Sequence, residues 1–213
     1  MDICQLILEK RIKISWICSA KASTTSYEML KMMKAAGCRL IRVGVESGVQ
    51  EILDKVKKDV KIDHVIDTFR WARELKIDTH AHLMLGMPGE TDKTVKQTFD
   101  FVRKIKPSTV TYGIMTPYPG TDIYREVMSV DPSFGDGTHI NAGSIHTDAS
   151  CSKVFSDIPK NKLERYVREG YMKFYMRPEY IISRLLKIRD VDELRRLFFA
   201  GSQVFGFITR GDE

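Results

Sequence analysis

The hydrophobic pattern of this chain alternates between two periods, and the changes of period place its elements. Ile3, Leu6 and Ile7 recur at helical spacing within residues 2–9, and Ile12, Ile14 and Trp16 then alternate as in a strand that ends near Cys18 and Ser19. Ser26 is a natural cap for a helix that carries Met29, Leu30, Met32 and Met33 and closes at Gly37. The run from Leu40 to Gly48 follows. Its alternation sets Ile41, Val43 and Val45 on one face of a strand and Arg42, Gly44 and Glu46 on the other. A short helix from Val49 to Val56 comes next, and a second from Asp63 to Leu75 turns Val65, Ile66, Phe69, Trp71 and Ala72 toward the sheet. In the run that begins at His80, alternation groups His80, His82, Met84 and Gly86 on one face. Val95, Phe99 and Val102 then mark a helix over 91–104, stopped by Pro107, and a third β run spans Ser108 to Met115.

Three β runs thus end in polar, glycine-bearing loops that lead into helices: Glu46-Ser47-Gly48, Gly86-Met87-Pro88-Gly89-Glu90-Thr91 and Pro119-Gly120-Thr121-Asp122. The repetition predicts an α/β fold of parallel β/α units, whose sites lie at the carboxyl ends of the strands. Glu46-Ser47 reads in two ways at this point, as ligand-bearing groups at a strand end or as the cap of the helix that begins near Val49. Beyond Ser129 the periodicity disappears, and residues 131–152 are rich in Asp, Ser, Gly, Thr and His, including His139 and His146. Pro159–Tyr175, Glu179–Lys187 and Val191–Phe207 read as helices. The expected organisation is an α/β body over 1–130, a long polar loop over 131–158 and a helical extension over 159–213.

Composition adds limits. With 213 residues, 43% hydrophobic and 29% charged, the chain has the balance of a globular domain able to bury a core. No stretch is apolar enough to span a membrane, and no basic segment precedes an apolar run at Met1, so a cytoplasmic location is expected. The net charge of +6 is spread at i, i+3 spacing, as in Lys31 and Lys34, Arg70 and Arg73, Lys93 and Lys96. Such spacing marks solvated helix faces, so no nucleic-acid partner is expected. Cys4, Cys18, Cys38 and Cys151 match no zinc, iron–sulfur or disulfide spacing, and each reads as a free thiol with no metal bound. Met29, Met32 and Met33 read as core filling.

The order of strand, Gly44-Val45-Glu46-Ser47-Gly48, strand, Gly86-Met87-Pro88-Gly89-Glu90-Thr91, strand, Pro119-Gly120-Thr121 resembles the radical S-adenosylmethionine enzymes. It is most similar to the members with an upstream cobalamin-binding domain, and the tail Lys173-Phe174-Tyr175-Met176-Arg177-Pro178-Glu179-Tyr180-Ile181 looks like the helical segment after their barrel. The resemblance covers about residues 3–190. It implies a six-stranded (β/α) barrel with a 4Fe–4S cluster on a C-x-x-x-C-x-x-C loop, and reductive cleavage of S-adenosylmethionine to a 5′-deoxyadenosyl radical, or cobalamin-dependent methyl transfer, on a small-molecule substrate. No such cysteine triad stands in this sequence. The alignment of motifs therefore gives a partial barrel: the C-terminal four strands, followed by the helical extension. The expectation is a fragment of an oxidoreductase or methyltransferase, inactive alone and tending to associate through its open sheet edge, with the cluster ligands and any cobalamin site elsewhere.

Carried over residue by residue, the resemblance gives Glu46 the ribose hydroxyls of S-adenosylmethionine and Lys58 its methionyl carboxylate. It sets His82 and Met84 toward the ribose and adenine, and Ser19 or Cys18 near the carboxylate. Ser47, Gly48, Gly86 and Gly89 shape the backbone, and no catalytic residue is implied. Asp59 and Lys76 stand at turn positions where the family usually has glycine. The competing reading is a non-catalytic β/α module that binds a nucleotide or a partner. A phosphate-binding barrel enzyme fits less well, because no glycine-rich phosphate loop is present.

Overall fold

The computed structural model describes residues 2–130, 132, 156–186, 188 and 191–210. Most of the expected polar loop, with His139, His146 and Cys151, lies outside the described residues. The chain divides into two compact units. One comprises Met1–Met84 with Asp92–Thr111, and the other Leu85–Thr91 with Tyr112–Glu213.

Four strands form one open sheet in the order β1-β2-β3-β4: β1 Trp16–Ala20, β2 Cys38–Glu46, β3 Asp78–Leu85 and β4 Thr109–Ile114. The pairs β1/β2 and β2/β3 are parallel. Between the strands run α1 (Asp2–Glu9, ahead of β1), α2 (Tyr27–Ala35), α3 (Gln50–Lys55), α4 (Ile62–Glu74) and α5 (Asp92–Ile105). This is the expected α/β arrangement, four parallel strands of a partial barrel, each joined to the next through helices.

Alternation decides which face the helices cover. Ile41, Val43, Val45, Ala81, Leu83 and Val110 are buried together with Leu30 of α2, Phe69 and Ala72 of α4, and Val95, Phe99 and Val102 of α5. The opposite face keeps Arg42, Gly44, Glu46, His80, His82 and Met84, none of them buried. A one-residue slip would exchange the two sets, so the apolar pattern fixes the register that presents the polar residues.

The first strand starts later than its alternation suggests. Ile12 and Ile14 are each 50% exposed, and β1 begins only at Trp16, whose N–H donates to the Gly37 carbonyl at 3.2 Å. Pairing sets that start: Trp16 lies opposite Cys38, and no residue of β2 lies opposite Ile14. Gly37 ends α2 with φ +94°, and a side chain there would meet the Ile14 carbonyl oxygen at 2.0 Å. Asp59 and Lys76, at turn positions where the resemblance implies glycine, adopt φ of +52° and +55°.

The second unit contains α6 (Asp122–Val130), α7 (Lys160–Tyr175), α8 (Pro178–Leu185) and α9 (Val191–Arg210). Rings hold its helices together, with Phe174 and Tyr180 at 5.0 Å between centroids and Tyr171 edge-on to Tyr112 at 5.7 Å. Pro178 opens α8 at its first turn, and the Arg177 guanidinium lies 4.6 Å from the Phe174 ring centre. No described helix is long and apolar enough to cross a membrane.

Candidate functional site

At its carboxyl end β2 breaks register with β3. Gly44 lies opposite His82, but Glu46 lies opposite Leu83. Such a bulge re-aims a side chain, and Glu46 completes the turn with φ +61°. The Lys58 ammonium donates to Glu46 Oε1 at 2.6 Å, with side-chain exposures of 30% for the lysine and 19% for the glutamate. Lys58 reaches it from the turn after α3, where Lys57 and Asp59 both take left-handed backbone. Glu46 Oε2 has no partner among the described residues. Gly44 leaves the room that the pair uses, since a Cβ there would lie 2.6 Å from Glu46 Oε1 and 3.0 Å from Lys58 Nζ.

Ser47 and Glu46 divide the two readings of this motif. Ser47 is wholly buried, and its Oγ accepts from the Val49 N–H at 3.2 Å and lies 3.3 Å from Thr98 Oγ1. The Gly48 N–H donates to the same Thr98 hydroxyl at 3.0 Å. A Cβ on Gly48 would fall 2.4 Å from Phe101 Cβ, so this glycine lets α5 approach. Ser47 and Gly48 therefore build the turn, and neither offers a ligand a side chain.

The polar face extends across all four strands. Ser19 pairs with Arg42, and Arg42 with His80, so the three form a row. The same register separates Ser19 from Cys18, which pairs with Ile41 and faces the other way. His80 is held by two hydroxyls of β4, with Thr109 Oγ1 at 2.7 Å from Nδ1 and Thr111 Oγ1 at 2.9 Å from Nε2. Burial, followed by the positive fields of His82 and Arg42, lowers its pKa to about 4, so the ring is neutral at physiological pH. His82 packs edge-on to it at 4.4 Å between centroids. Met84 is the next residue toward the strand's carboxyl end on this face.

In the second unit, the turn after β3 is organised by a residue that sequence reasoning read only as the opening of α5. Glu90 is wholly buried, and its Oε2 accepts from the Gly86 N–H at 2.5 Å. Its Oε1 has no hydrogen-bond partner among the described residues. Burial raises its pKa to about 7, against the lowering effect of the Gly86 and Met87 N–H groups. Gly86 has φ +78°, and a Cβ on it would sit 3.0 Å from Leu163 of α7. The glutamate four positions after a chain-reversing glycine was the signal available in the sequence.

Among the described residues Cys4, Cys18 and Cys38 are free thiols. Burial pushes the Cys38 thiol up to about 11 and raises that of Cys18, so both are protonated at neutral pH. No group of three metal-binding side chains occurs among the described residues. The spacing of the four cysteines in the sequence matches no 4Fe–4S ligand loop. At the end of β2 a glycine-bared strand, a carboxylate oxygen with no partner among the described residues and an ammonium stand together.

A family model described as the radical SAM superfamily matches residues 1–102. An uncharacterized methyltransferase of Pyrococcus horikoshii is 25% identical over 195 residues, covering 88% of this chain and 40% of that protein. The anaerobic magnesium-protoporphyrin IX monomethyl ester cyclase of Rubrivivax gelatinosus is 22% identical over 203 residues, 94% of this chain and 35% of that protein. Among solved structures, the cobalamin-dependent S-adenosylmethionine radical enzyme OxsB with aqua-cobalamin bound aligns with a TM-score of 0.58 at 17% identity, over 95% of this chain and 35% of that one. The chain thus spans 35–40% of the length of these curated relatives.

Proposed function

We propose that this chain is part of a radical SAM protein, whose family model matches residues 1–102, and that the polar face of its sheet binds S-adenosylmethionine. The observation that carries the proposal is the Glu46–Lys58 pair at the carboxyl end of β2. Glu46 Oε2 is the acceptor for the ribose hydroxyls, since a carboxylate oxygen takes two hydrogen bonds. Lys58 has further N–H groups for the methionyl carboxylate, and Ser19 on the neighbouring strand adds a hydroxyl. His82 and Met84 face the ribose and adenine, and Gly44 lets the ligand approach the strand. Ser47, Gly48 and Gly86 hold the backbone that presents these groups.

The chemistry supplied by bound S-adenosylmethionine with a reduced 4Fe–4S cluster is cleavage to a 5′-deoxyadenosyl radical, or methyl transfer beside cobalamin. The cysteines of this sequence do not provide that cluster's ligands. In our reading this chain contributes binding and orientation of S-adenosylmethionine to a methyltransferase or related radical enzyme. Alone it binds without cleaving.

Thermal unfolding with increasing S-adenosylmethionine tests the proposal. The native chain is expected to gain stability with ligand concentration, as any ligand specific for the folded state requires. Glu46→Ala removes charge-assisted hydrogen bonds worth about 1.5–3 kcal/mol, which weakens binding roughly 10- to 100-fold. Equal stabilisation of both proteins would refute the role of Glu46.

A further inference from the structure

We propose that the outer edge of β1, with the stretch that leads into it and the uncovered side of α1, docks an extended strand of a partner polypeptide in which apolar and acidic residues alternate. Docking there uses none of the side chains assigned to S-adenosylmethionine.

Among the described residues β1 pairs with β2 alone and ends the sheet, so its other edge presents unpaired N–H and C=O groups. The apolar side chains around that edge are uncovered. Ile12 and Ile14 are half exposed, Ile17 is 39% exposed, and on α1 Ile3 and Leu6 are 75% and 50% exposed, with Cys4 the one buried residue of that helix. Contiguous apolar surface of this kind marks an interaction site. The backbone edge selects the occupant, because an extended chain satisfies such groups while laying alternate side chains beside those of the edge. Charge selects it further. Lys10, Arg11 and Lys13 interleave with Ile12, all are exposed, and none of the three cations has a hydrogen-bond or ion-pair partner among the described residues. From Ile3 to Ile17 the chain has one acid, Glu9, which accepts from Gln5 at 2.8 Å, so one negative charge stands against three positive. Asp59, the next carboxylate near this edge, is held by Lys21 at 3.2 Å. A second copy of the same edge would bring like charges together, and edge lysines deter such pairing. A strand with apolar residues beside Ile12 and Ile14 and a carboxylate beside Lys13 meets both requirements.

The test titrates the full chain, labelled with 15N, with short end-blocked synthetic peptides in which valine alternates with glutamate or, as the control, with lysine. The amide signals of residues 12–20 are expected to shift saturably with the valine–glutamate peptide and not with the valine–lysine peptide, and their hydrogen exchange to slow as inter-strand bonds form. Lys13→Glu is expected to weaken the valine–glutamate peptide roughly 2- to 25-fold, through loss of one exposed ion pair and gain of one like-charge contact. The same variant should keep its stabilisation by S-adenosylmethionine, so failure of this surface is distinguishable from failure of the Glu46 site. The comparison of the two peptides on the native chain requires no variant to fold. No saturable shift in residues 12–20, equal binding of the two peptides, or an unchanged affinity in Lys13→Glu overturns the proposal. So does sedimentation of the peptide-free chain as a dimer with residues 12–20 already protected from exchange, because it would assign the edge to a second copy.

Discussion

Holding a glutamate in the left-handed backbone region costs on the order of 1–2 kcal/mol, and Glu46 is held there at φ +61°. The bulge opposite Leu83 and the bond from Lys58 maintain the conformation, and both keep the carboxylate at the strand end. From sequence alone Glu46-Ser47 was equally a ligand site and a helix cap, because acids and hydroxyls serve both purposes. The structure gives the turn to Ser47 and leaves Glu46 on the open face. Glu90 offered only its spacing from Gly86: a glutamate just before a helix looks like a cap, and the folded turn shows its side chain reaching back to Gly86. Its raised pKa makes a prediction. Between about pH 4.5 and 7 the native state holds a proton that the unfolded state has released, so stability falls as pH rises through that window. The shift corresponds to about 3 kcal/mol. Urea unfolding of the native chain and of Glu90→Gln at pH 5 and pH 8 measures it. The stability difference, native minus variant, should drop by about that amount at the higher pH, and an unchanged difference would contradict the assignment.

At the scale of elements, β2 and β3 were readable because one face of each is covered by helices, so alternation carries the register directly. The start of β1 was not, since Ile12 and Ile14 alternate like strand residues whether or not a partner lies beside them. The two glycines that bracket Glu46 do different work, and alanine separates them. In Gly44→Ala the new Cβ meets only the ends of the Glu46 and Lys58 side chains, which can move away. In Gly48→Ala it meets Phe101 Cβ and the Thr98 Cα, where α5 itself must shift. Overpacking of that kind costs about 1–3 kcal/mol. Thermal unfolding and S-adenosylmethionine titration of both variants should find Gly44→Ala stable but weak in binding, and Gly48→Ala destabilised. The reverse pattern would contradict the division of roles.

At the scale of the whole molecule, the sequence motifs resemble one family, and the structure supplies what the motifs leave out: which side of the cysteine-bearing strand lies on the polar face. Cys18 turns toward Cys38, Ser19 toward Arg42, and the thiols are thereby removed from the polar face. The site attributed to this chain is accordingly one of binding and orientation, assembled from β1, β2 and β3 and the turn that carries Lys58. The ten methionines of the chain provide the most direct test of that claim. With 13C-methyl-labelled methionine, addition of S-adenosylmethionine should shift the Met84 signal on the polar face in the native chain, and in Glu46→Ala the same shift should need roughly 10- to 100-fold more ligand. Shifts confined to Met172 and Met176 of the helical unit, or a Met84 response with the same midpoint in both proteins, would contradict the account.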